Sequence, residues 1–173
     1  MPASATPNPL LKLVGMFVRD LLGYNEQLIR LGRQNFEREQ FETAYIVVDD
    51  LGGMQRVTEG EEFDGAAENL ELSTTWRGLV TLDFYGNGAY ARATRFSGLC
   101  RSQAAYDLRR TLGVNIYPAN RITDVKALTG QQYGERVQLE CNAELTTAEN
   151  IATLRIDTAQ IEIRNEQGVQ YVG

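Results

Sequence analysis

Apolar residues recur at three- and four-residue steps through Leu10, Leu13, Val14, Phe17, Val18 and Leu21, the period of one face of a helix. Asn8 as N-cap, Pro9 at the first helical position and Gly23 just past the end bracket that helix. Leu11 and Leu22 sit off the stripe, so the helix is apolar on more than one side. Its second side is covered either by the chain's own sheet or by another subunit. The stretch Gln27 to Gln40 fits both periods at Leu28, Ile29 and Leu31 and is polar from Arg33 onward except at Phe36; the pattern leaves it open. Tyr45, Ile46, Val47 and Val48 form a β-branched and aromatic run, the mark of a strand covered on both faces. Asp49 to Gly53 then reads as a turn.

Further along, Val80, Leu82 and Phe84 alternate with Thr81, Asp83 and Tyr85, predicting a strand over 79–85 closed by Gly86-Asn87-Gly88. Ala89, Ala93, Phe96, Leu99 and Cys100 return to helical spacing, and a cap signal at Ser102 starts a turn-rich segment stopped by Gly113; either two consecutive helices or one bent near Gly98 follow the strand. Pro118 limits any strand from Val114 to a short edge. The clearest strand covers 135–145, with Val137, Leu139, Cys141, Ala143 and Leu145 on one face and polar residues on the other. After it, the apolar phase switches from Leu154 and Ile156 to Ile161 and Ile163, which demands a bulge or turn near Thr158. The expected fold is α/β in the α+β sense: one domain over 1–173, with a largely antiparallel sheet packed against the N-terminal helix and the central helices. Residues 1–8 read as a flexible N-terminus, and no internal repeat is visible.

With 173 residues, 43% of them hydrophobic, the chain is long enough to bury a core without metal or disulfide staples. It has 23 acidic and 17 basic side chains and no histidine. That absence removes the commonest general base, Ser-His and Cys-His nucleophile pairs and histidine-ligated zinc. Cys100 and Cys141 are 41 positions apart with no C-x-x-C; they read as free, buried thiols in a reducing compartment. The first nine residues are polar and uncharged, and the apolar stretch after them carries Lys12, Arg19 and Asp20, so neither a secretory signal nor a membrane span is expected.

Motifs add little chemistry. Gly86-x-Gly88 between strand and helix is where a phosphate-binding loop would sit, but the third glycine and a Walker lysine are missing. Asp49-Asp50 has no partner cluster for a metal, and Ser97-Gly98 lacks the first glycine of a nucleophile elbow. No catalytic, cofactor-binding or metal-ligating residue is assigned. Charge distribution is more informative. Between Asn87 and Gly113 five arginines, Arg92, Arg95, Arg101, Arg109 and Arg110, face a single acid, Asp107. Residues 58–71 carry Glu59, Glu61, Glu62, Asp64, Glu68 and Glu71 and no basic residue, and read as an acidic loop or hairpin arm, either a tolerated insertion or an interaction arm. Opposite blocks on one small domain either neutralise one another or favour head-to-tail association of identical copies, which closes into a ring when the rotation allows. Both blocks are therefore candidate subunit or ring interfaces. Reversal of Arg109 and Arg110 to glutamate is expected to weaken association with the fold intact. Net charge of −6 and only two lysines argue against nucleic-acid readout.

Several of these segments also carry a resemblance. Leu79 to Gly86, the helix with Ala89 and Ala93, Leu108 to Gly113, Asp124 to Leu128, and Tyr133-Gly-Glu-Arg136 leading into the alternating strand resemble the neck or tail terminator proteins of tailed bacteriophages. The likeness runs from Tyr45 to Ile163. It implies a structural virion protein of the tail or neck, made in the host cytoplasm, and not an enzyme. It further implies a homohexameric ring that caps the tail tube protein, ends tube polymerisation and joins the head-tail connector protein. DNA would pass through the lumen without specific contact, and no cofactor or membrane is involved. Two alternatives stay open: a tail-completion or head-tail joining protein without terminator role, and a small anion-binding α/β module using the Gly86 turn and the arginines.

Overall fold

The computed structural model describes residues 9–32, 44–66, 68–125, 127–129, 132–152, 161–165 and 168–172. Residues 1–8, the polar stretch from Arg33 to Gln40 and the phase change near Thr158 fall outside them. The fold is α+β. Three helices, α1 (Pro9–Leu22), α2 (Ala89–Leu99) and α3 (Gln103–Leu112), accompany a five-stranded sheet in the order β1-β2-β3-β7-β4. Its strands are β1 (Ile29–Leu31), β2 (Tyr45–Asp64), β3 (Asn69–Tyr85), β4 (Val114–Asp124) and β7 (Arg136–Ala152). A 3-10 turn (Glu26–Leu28) and two small hairpins, β5 (Ala127–Thr129) with β6 (Gln132–Gly134) and β8 (Ile161–Asn165) with β9 (Gly168–Val172), are the other elements among the described residues.

The sheet is largely antiparallel. Strand β4 pairs antiparallel with β7. Across β3 and β7 the hydrogen-bond partners run in opposite directions, from the Thr74 carbonyl with the Thr147 hydroxyl through Arg77 with Glu144 to Asp83 with Arg136. The short connection between β2 and β3 permits only an antiparallel pair. Strand β1 is parallel to β2, setting Ile29 beside Ile46 and Leu31 beside Val48.

Alternation determines which face is dry. Ile46 and Val48 of β2, Val80, Leu82 and Phe84 of β3, Val114 and Ile116 of β4, and Val137, Leu139, Cys141 and Ala143 of β7 share one core with the three helices. Phe96 of α2 anchors it, meeting Phe17 of α1 edge-on at 6.3 Å and Phe84 at 6.4 Å, an arrangement aromatic rings favour. Glycines let α1 settle close to the sheet. A Cβ on Gly15 would stand 3.3 Å from Leu31, and one on Gly78 2.9 Å from Leu10.

One open alternative is decided and two local expectations change. The second side of α1 is covered from within the chain, since Leu11 and Leu22 are both buried; no neighbour is needed to hide it. The segment from Asp49 to Gly53 is not a turn, because β2 runs straight through it, with Gly52 at φ 141° and Gly53 at φ 90° absorbing the irregularity. Strand β4 is an edge, but a long one: its register shifts between Pro118 and Ile122, which passes the proline that cannot donate to the ladder. Thr81 and Asp83, on the polar side of their strand, are only 2% and 6% exposed.

Contacts divide the chain into two units. One comprises 1–59 with 74–147 and holds the helices and the core; the other comprises 60–73 with 148–173.

Candidate assembly surfaces

The acidic segment is a β-hairpin. Glu59, Glu61, Glu62 and Asp64 lie on the last part of β2, Glu71 on β3, and Glu68 in the connection at φ 52°. The Asp64 carboxylate accepts from the Ala66 N–H at 2.9 Å, an Asx turn that starts the reversal. Glu59 pairs with Arg56 at 2.6 Å, both well exposed, a contact of small energetic consequence. Glu61, Glu62, Glu68 and Glu71 make no ion pair among the described residues. Phe63 stands among them, 48% exposed.

The five arginines divide into two kinds. Arg92 reaches back over its own turn, with Nη2 donating to the carbonyls of Tyr85 at 2.6 Å and Gly86 at 3.0 Å. Arg109 does the same beneath α3, its Nη2 donating to the Cys100 carbonyl at 2.8 Å and the Ile116 carbonyl at 2.9 Å. The Arg109 guanidinium also lies 5.9 Å from the Phe17 ring and 5.7 Å from the Tyr117 ring. These two tie helix ends to strands. Arg95, Arg101 and Arg110 are exposed and make no ion pair among the described residues. These three are the exposed members of the five. The helical surface around them also presents Tyr90 and Tyr106.

The Gly86 turn is filled from inside. Gly88 takes φ 75°, and the first amide of α2, at Ala89, donates both to the Gly86 carbonyl and to the Glu135 carboxylate, each at 3.1 Å. A carboxylate thus holds the place an anion would take at the helix N-terminus, and Arg92 is spent on carbonyls. This arrangement weighs against the anion-binding module.

A feature the sequence pattern did not disclose lies on the sheet face opposite the helices. Arg30, Tyr45, Tyr85 and Arg136 stack across four strands: Arg30 at 4.7 Å from the Tyr45 ring, the two tyrosines at 4.7 Å and nearly parallel, and Arg136 at 5.4 Å from the Tyr85 ring. Asp83 closes the stack with an ion pair to Arg136 at 3.0 Å. Burial works against the Arg136 charge, but the hydrogen bond and charge of Asp83 outweigh it and raise the guanidinium further above its ordinary value. Alternation places these residues on one face only after the strands are paired, so no local signal could have found them.

Cys100 and Cys141 are free and buried. Burial pushes the Cys100 thiol up to about 11, against a smaller opposing effect of Arg109, and raises Cys141 further. Neither has thiolate character at neutral pH. Among the described residues no group of three acids or thiols could hold a metal ion, and no helix is long and apolar enough to cross a membrane.

What the described surface offers is charged and aromatic contact area, chemistry suited to binding other proteins. A family model described as phage neck terminator protein matches residues 8–168, and the chain belongs to that family. Membership makes it a structural protein of the phage neck, with contacts to other tail or head proteins and a place in the virion. No curated protein matches the chain.

Proposed function

We propose that the protein assembles as a homohexameric ring on the last ring of the tail tube protein, ends tube growth there, and offers its other side to the head-tail connector. The observation that carries this reading is the family match across residues 8–168. The surface chemistry supports it. A tube grows because each ring offers the next a matching face, so a terminator must match on one side and mismatch on the other. This chain has strongly unlike surfaces, an acidic hairpin and an arginine- and tyrosine-bearing helical face, as heterologous ring contacts require. Net charge of −6 suits a lumen through which DNA passes without adhering.

Electron microscopy of particles assembled without this protein tests the reading. Overlong or headless tails are expected. Tails of normal length that merely fail to join heads would favour a head-tail joining protein without terminator role. Negative-stain images of the purified protein with tail tubes should show a six-fold annulus at one tube end.

A further inference from the structure

Between the end of α2 and the start of β4 lies a cleft of about 340 Å³ lined by Ser97, Cys100, Arg101, Arg109, Tyr117 and Pro118. Its wall includes the rings of Tyr117, 49% exposed, and Pro118. Its charge is wholly positive. The Arg109 guanidinium is held in place by the Cys100 and Ile116 carbonyls beside the Tyr117 ring, so an incoming aromatic ring would meet a cation and a π face already oriented. Arg101 is exposed and makes no ion pair among the described residues.

The hairpin carries the complement. Phe63 is exposed on β2 between acidic neighbours. Because strand residues two apart share a face, Glu61 stands on the same side as Phe63, and Glu61 too makes no ion pair among the described residues. We infer that Phe63 of one copy seats in the cleft between α2 and β4 of a second copy, with Glu61 pairing to Arg101. This rests on the ring reading above and names the contact that would close the ring. An anchor and a receptor built from different residues of the same chain make a heterologous contact, the kind that propagates around a circle. A central buried aromatic with a charged rim is also the usual anatomy of an energetic hot spot.

The test uses the full chain, with ring formation followed by sedimentation and by negative-stain imaging with tail tubes. Phe63→Ala and Arg101→Glu change exposed side chains and should melt like the wild type, yet raise the concentration needed for ring formation about tenfold or more. Glu61→Arg should do the same, and Glu61→Arg combined with Arg101→Glu should recover most of the loss. Replacing Phe63 with a photoreactive phenylalanine should cross-link to the 97–118 segment of another copy. Rings that form as readily in the single variants as in the wild type overturn this pairing and leave the ring reading standing. A wild-type chain that stays monomeric with and without tubes overturns both.

Discussion

A guanidinium on a helix surface loses little by remaining in water, whereas one half-buried under its helix needs acceptors for its N–H groups. Arg109 is of the second kind and Arg110 of the first, although they are adjacent in sequence. Arg109→Ala should therefore cost about 2 kcal/mol in urea unfolding, because two main-chain carbonyls lose a charged donor, while Arg110→Glu should stay within about 0.5 kcal/mol. Reversal of Arg110 should thus leave the fold intact, whereas reversal of Arg109 should weaken it, a difference that urea unfolding of the two variants reads. The thiols give a second residue-scale prediction. Cys100 and Cys141 should resist alkylation at pH 8 in the folded chain and react at once in denaturant. Between about pH 9 and 11 the folded chain keeps the Cys100 proton that the unfolded chain releases, so this thiol makes stability fall as pH rises through that window. Denaturation midpoints measured across it check the sign.

Elements follow from patterns a few residues long. Helix α3 begins at Ser102, whose hydroxyl accepts from the Ala105 N–H, and ends at Gly113 with φ 66°, as its cap signals predict. Gly23, at φ 68°, ends α1 in the same way. Where elements meet, small residues govern the spacing. Gly78 of β3 leaves room for Leu10 of α1, a leucine too closely packed to yield. Gly78→Val should destabilise the fold by roughly 1 to 3 kcal/mol through overpacking, read as a lower melting temperature with unchanged far-ultraviolet dichroism. The Asp49 to Gly53 segment misleads at this scale. Its Asp-Asp and Gly-Gly pairs carry turn chemistry, yet pairing within the sheet keeps the strand extended through them.

At the scale of the whole molecule, opposite charge blocks make association sensitive to salt. Exposed carboxylates and guanidinia attract over a range that shrinks from about 30 Å at 0.01 M to about 3 Å at 1 M salt. Ring formation should therefore weaken steadily from low to high sodium chloride in sedimentation measurements. A contact sustained by apolar burial alone would hold or strengthen in a salting-out salt such as sulfate.

From the sequence by itself came the α+β class, α1 with its stop, the helical character of the central segment, the alternating strand of β7 and the acidic and basic segments, since each is a matter of period or composition within a short window. Tertiary structure decided which residues those segments leave for partners. Arg92 and Arg109 turned inward onto carbonyls six to nine residues away once the turns and strand ends beside their helices had packed in place, and Leu11 and Leu22 found cover inside the chain. The Arg-Tyr-Tyr-Arg stack exists only once strands far apart in sequence are neighbours, and the cleft beside Tyr117 only once α2 and β4 lie side by side. Periodicity records which side of an element is apolar; what that side meets depends on pairings that no short stretch of sequence contains.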